Sequence, residues 1–147
     1  MTENNSANAT SGGKMNTLFN LGVKTPDSAA EEAFFAAFNP DRKFFLDRSY
    51  AKTGPKKVPA IELGQVKFFF FETLAYDEDL PAPQAGGISH VAFMVDSVDK
   101  VVENLRQKGY EPLRGPYTVD NGDLGHRKVV FFRSPNGLII EPQELVQ

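Results

Sequence analysis

Two side chains raise the question of chemistry. His90 begins the apolar run His90-Val91-Ala92-Phe93-Met94-Val95, and Glu141 closes the run Gly137-Leu138-Ile139-Ile140-Glu141. Imidazole and carboxylate are both metal-ligand types. Each sits on an apolar strand, where an unpaired polar group is costly. Glu72 ends a third apolar run, Val66 to Phe71, and Asn20 interrupts a fourth, Met15 to Lys24. The other histidine, His126, stands in the polar stretch Asp120 to Lys128 beside Arg127 and Lys128, three side chains suited to holding an anionic group. Tyr50, Tyr110 and Tyr117 are candidate general acids that nothing in the sequence ranks.

These residues need elements to position them. Met15 to Lys24 reads as a strand, and Thr25-Pro26-Asp27-Ser28 carries turn and helix-start chemistry. A helix over Ala29 to Phe38 comes next, with Ala30, Ala33, Phe34, Ala37 and Phe38 forming an apolar stripe. Lys43 to Leu46 is a short strand, Arg48 to Lys57 a loop, and Val58 to Leu63 pairs with Val66 to Glu72 through a turn at Gly64-Gln65. The same order returns from Ile88: strand, an amphipathic helix over Ser97 to Lys108 stopped by Gly109, then strands. Asn20 and His90 lie 70 residues apart, and Glu72 and Glu141 lie 69 apart. This internal repeat predicts an α+β fold of two βαβββ modules whose strands join into one curved sheet, with helices on the convex face and a cup on the concave one. The resulting division is a disordered polar tail over residues 1–14, a first module over 15–76, a linker over 77–87 and a second module over 88–147. Alternation along a strand puts Phe68 and Phe70 on the same face as Glu72, so they are expected to line the cup.

Composition narrows the classes. The 147 residues carry a net charge of −3 and no cysteine. No basic patch marks a nucleic-acid surface, and no apolar run is long enough to span a membrane. Without cysteine there is no disulfide, thiolate ligand or thiol nucleophile, which suits a reducing compartment; a cytoplasmic location is expected. The open edges of a curved sheet invite pairing, so a homodimer is expected.

The stretch His90 to Val95, the helix ending Lys108-Gly109, and Phe132-Arg133-Ser134-Pro135-Asn136-Gly137 to Glu141 resemble the vicinal oxygen chelate superfamily of glyoxalases, methylmalonyl-CoA epimerases, fosfomycin-resistance proteins and extradiol dioxygenases. The family has aspartate where Ser97 and Ser134 stand, both turn or capping positions. The resemblance implies four metal positions, falling on Asn20, Glu72, His90 and Glu141, and a divalent ion such as zinc, nickel, cobalt, manganese or iron. Asn20 departs from the family's usual histidine. The activity implied by the resemblance is that of a metal-dependent lyase or isomerase of the glyoxalase and epimerase kind. In it a small oxygenated substrate chelates the metal, and Glu72 or Glu141 moves a proton. Two alternatives stand beside it. One is an extradiol-type dioxygenase, which needs two histidines and a carboxylate. The other is a metal-free binding protein that sequesters a ligand in the same cup.

Overall fold

The computed structural model describes Gly13, residues 15–135 and residues 137–146. The expected tail over residues 1–14 therefore lies, Gly13 apart, outside the described residues. The first module comprises β1 (Met15–Lys24), α1 (Ser28–Ala36), β2 (Arg42–Tyr50), β3 (Gly54–Leu63) and β4 (Val66–Phe71). The second comprises β5 (Gly87–Val95), α2 (Val98–Gln107), β6 (Arg114–Asp120), β7 (His126–Arg133) and β8 (Ile139–Leu145). Together they form one eight-stranded mixed sheet in the order β2-β3-β4-β1-β5-β8-β7-β6. In each module the first strand runs parallel to the last, β1 with β4 and β5 with β8, while β1 and β5 join the modules antiparallel. Parallel neighbours need a long crossover, and the helix and hairpin of each module supply it.

Both helices start on side-chain caps. Asp27 accepts from the amide of Ala30, and Ser97 from that of Lys100, so the serine in the family's aspartate position still caps. Ser134 likewise accepts from Leu138 N at 2.9 Å in the turn before β8. Helix α2 buries Val98, Val101 and Val102 against Val130 and Phe132. Helix α1 departs from the expected stripe. Phe35 and Ala36 face the sheet, over Phe68 and Phe70, whereas Phe34 and Phe38 are 62% and 60% exposed. With apolar side chains nearly all round the helix, periodicity alone could not choose its inner face.

Strand β2 is longer than the sequence suggests. It runs on through Arg48 to Tyr50, pairing Arg48 with Lys56 and Tyr50 with Gly54 where a loop was expected. The period-two series Phe44, Leu46, Arg48, Tyr50 is the signal that this strand continues. The main core lies on the concave face and is built from Leu46, Phe69, Phe71, Ala92, Val129 and Phe131 among others.

Candidate active site

Facing residues on β1, β5 and β8 place the site. Gly22 pairs with His90 and Asn20 with Ala92. Ala92 pairs in turn with Glu141. Directly paired residues share a face, so Asn20, Gly22, His90 and Glu141 all turn to the concave side. Gly22 is required there. A Cβ at that position would stand 2.5 Å from Nδ1 and 2.7 Å from Nε2 of His90, so the imidazole lies flat over a bare backbone.

His90 is 3% and Glu141 7% exposed. Nε2 of His90 is 3.2 Å from Oε1 of Glu141. Its Nδ1 is 3.1 Å from both the Tyr76 hydroxyl and the Ser89 hydroxyl. Burial pushes the Tyr76 phenol well above its ordinary range, so it keeps its proton and is a donor. The ring thus faces the two hydroxyls with Nδ1 and the Glu141 carboxylate with Nε2, each within 3.2 Å. The result is a contiguous row, Tyr76, His90 and Glu141, that ends on a carboxylate. It borders a cavity of about 130 Å³ walled by Phe69, Phe71 and Phe131 and approached by Arg48, Tyr50 and Tyr117. Burial also raises the phenols of Tyr50 and Tyr117, so both remain O–H donors. Asn20 and Gln143 are buried beside this layer. Both amide atoms of Asn20, and Oε1 of Gln143, find no partner among the described residues.

The remaining expected site residues fall elsewhere. The Glu72 carboxylate accepts from Ser28 N at 2.9 Å and Ser28 Oγ at 3.1 Å, at the positive N-terminal end of α1. It is exposed and takes no part in the cup. Phe68 and Phe70 pack beneath α1 on the convex face, so the cup wall on β4 is the other pair, Phe69 and Phe71. The physical reason is register. An interval of 70 relates β1 to β5, making Gly22 the counterpart of Ala92. The parallel partner of Gly22 is Phe69, and that of Ala92 is Glu141. The counterpart of Glu141 is thus Phe69. An offset of 69 reaches Glu72 instead, an odd number of residues away, and an odd slip exchanges the faces of a strand. Lys128 pairs with Asp99 of α2 at 2.7 Å, and His126 is half exposed with Asp120 at 3.9 Å. Arg127 turns inward but is engaged there. It lies over the Phe19 ring at 4.4 Å, and its Nε donates to Leu124 O at 2.8 Å. Tyr76 and Arg48 reach the cavity without having been expected there. The first sits in what reads as the end of a module running into a linker, the second in what reads as a loop. Tyr50 and Tyr117, unranked in the sequence, are the two candidate acids that the cavity selects, and Tyr110 is not among its lining residues.

The four facing positions of the two modules therefore carry an amide, a phenyl ring, an imidazole and a carboxylate. Among the described residues no cluster of three histidine, aspartate or glutamate side chains is arranged to hold a metal ion. One imidazole, one carboxylate and a neutral amide fall short of the donor sets that retain first-row metals. The two strong donors moreover face each other at 3.2 Å. The expected metal centre does not fit these residues. The extradiol reading calls for a second imidazole, and among the residues lining the cup His90 is the one histidine.

Fold and site define a two-module cup protein with a buried histidine–glutamate pair at the contact of the modules. The model of the Glyoxalase/Bleomycin resistance protein/Dioxygenase superfamily matches residues 21–141, and the chain belongs to that superfamily. Among solved structures, a hypothetical protein from Bacillus halodurans C-125 is similar, with a TM-score of 0.67 at 20% identity, covering 91% of this chain and 97% of that one. Methylmalonyl-CoA epimerase from Mycobacterium tuberculosis gives 0.61 at 14% identity, covering 90% of each chain. A mutant of 4-hydroxymandelate synthase from Streptomyces coelicolor gives 0.64 at 19%, covering 88% of this chain and 48% of that one. At these identities the likeness is one of fold. Over 64 residues the chain is 38% identical to uncharacterized protein YwkD of Bacillus subtilis (strain 168), a stretch spanning 42% of this chain and 45% of that protein. No helix among the described residues is long and apolar enough to cross a membrane.

Proposed function

We propose that the cup is a proton-transfer site for a small oxygenated carbon acid, an isomerase or lyase site in which Glu141 is the base and no first-row metal resides. The observation that carries this is the Tyr76–His90–Glu141 chain at the cavity. Glu141 removes a proton from carbon next to a carbonyl. The C–H electron pair moves to the carbonyl oxygen, giving an enolate, and the hydroxyl of Tyr50 or Tyr117 donates to that oxygen. Return of the proton to either face of the carbon completes an isomerisation. His90, 3.2 Å from the carboxylate, holds it in place. Neighbouring folds that include an epimerase support the reaction class by analogy alone.

The test is hydrogen–deuterium exchange at carbon, followed by proton NMR, on a panel of small 2-oxo and 3-oxo acids in heavy water. Chelator-treated protein is expected to catalyse exchange and Glu141→Gln to lose it by about 100-fold or more. Exchange that vanishes on chelation and returns with added metal would overturn the metal-free chemistry. Ligand binding without any exchange would favour the sequestering reading, which the aromatic walls of the cavity also suit. We also propose the homodimer. The exposed Phe34 and Phe38, with Phe45 at 57% exposure, supply apolar surface for it. A monomer mass by light scattering at micromolar concentration would refute it.

A further inference from the structure

We propose that the substrate is a small monocarboxylate and that Arg48 binds its carboxylate. This rests on the proton-transfer reading of the cup and adds to it the charge and size of the ligand.

Strand β2 turns Leu46, Arg48 and Tyr50 to the concave face, and the Arg48 side chain lies along the cavity wall. It reaches across the cup. Nη1 stands 3.4 Å from the carbonyl of Asp47 in its own module and 3.4 Å from that of Asp120 in the other. Those contacts are longer than an ordinary N–H···O bond of about 2.7–3.2 Å. Among the described residues Arg48 forms no ion pair, whereas Arg114 bonds Asp79 at 3.0 Å and Arg106 bonds Glu111 at 2.9 Å. A guanidinium has five donors in a planar fork and stays charged even when desolvated. Left unpaired in a partly dry site it is costly, and a ligand carboxylate is the bidentate partner that matches its geometry. Burial pulls the Arg48 guanidinium below its ordinary range, and Glu141 is the largest influence opposing that shift. Both side chains line the same cavity, and among the described residues they form no ion pair with each other.

That arrangement sets the ligand's charge. Arg48 and Glu141 together are neutral, and a monoanion held by Arg48 leaves its carbon chain pointing to the base. A dianion such as phosphate would bring a second negative charge toward Glu141. Size comes from volume. The cavity of about 130 Å³ is well below that of a drug-sized site. A small acid suits it better than a large one.

The experiment is calorimetric titration of the full chain with pyruvate and 2-oxobutanoate, with their amides, and with inorganic phosphate. The acids are expected to bind at least tenfold more tightly than the amides. Arg48→Gln should weaken the acids by roughly ten- to hundredfold and leave the amides unchanged, so that the preference disappears. Arg48→Lys should keep part of it. If Arg48→Gln does not fold, the wild-type preference and the Lys variant still decide. A structural role, tying β2 to the Asp120 carbonyl, would lower the melting temperature but leave the acid-over-amide ratio intact. That outcome overturns the proposal, as do amides binding as well as acids, phosphate binding more tightly, or no binding of either acid. Arg48-dependent acid binding without exchange at carbon would sink the proton-transfer reading while leaving the carboxylate assignment standing.

Discussion

Substituting Gly22 by alanine tests the site's geometry directly. The added methyl would lie 2.5 Å from Nδ1 and 2.7 Å from Nε2 of His90, inside van der Waals contact. The ring is buried among Phe71, Tyr76 and Phe131 and has little room to retreat. Overpacking of this kind costs about 1–3 kcal/mol. Displacing the ring also loses its hydrogen bond to Tyr76 and its contact with Glu141, about 1 kcal/mol each. The sum, roughly 3–5 kcal/mol, corresponds to a fall in Tm of about 6–20 °C for a chain of this size. In a His90→Ala background the clash is gone, and alanine in a strand is about 0.5 kcal/mol better than glycine. G22A should therefore be strongly destabilising alone and neutral or mildly stabilising with H90A. Urea titrations of the four proteins close a double-mutant cycle with an expected coupling of about 3–5 kcal/mol. Equal cost in both backgrounds, a coupling below about 0.5 kcal/mol, would show that Gly22 does not seat His90.

Other perturbations reach the rest of the cup and its surroundings. Glu72→Ala removes the acceptor at Ser28 and should cost about 1 kcal/mol, read as a fall of about 2–4 °C in Tm, with exchange activity and ligand affinity unchanged. Loss of activity in that variant would return Glu72 to the site. The phenols of Tyr50, Tyr76 and Tyr117 are all raised by burial. The unfolded chain therefore releases these protons first, and stability should be full below the ordinary phenol value of 10.0 and decline above it. Tyr76→Phe should flatten that decline in alkaline melts; an unchanged slope would contradict the burial argument. The double variant N20H/F69E fills the two positions that lack a strong donor. It should bind zinc in a calorimeter where the wild type does not, and failure there would challenge the register by which Phe69 faces Glu141.

The repeated order of elements, both helices with their Asp27 and Ser97 caps, the hairpin at Gly64-Gln65, and the inward aim of His90 and Glu141 were all legible in the chain alone. All of these are local. Caps, turns and apolar runs are stated within a few residues of where they act, and a polar group on an apolar strand announces itself. Which phenylalanines line the cup was a different kind of question. The run Phe68 to Phe71 is apolar on both faces, so alternation could not orient it, and an interval of 69 in place of 72 moved the wall from Phe69 and Phe71 to Phe68 and Phe70. Only the pairing of β1 with β4 decides that parity, because register is a relation between strands distant in sequence. Tertiary structure likewise decided Glu72, whose chain position at a strand end suits a ligand but whose neighbour in space is the start of α1. It also brought Arg48, from a supposed loop, and Tyr76, from the edge of a supposed linker, to the same cavity as His90. The buried histidine and glutamate were legible because the cost of burying them is intrinsic to each residue. Its surroundings were not, because they belong to the folding of two modules against one another.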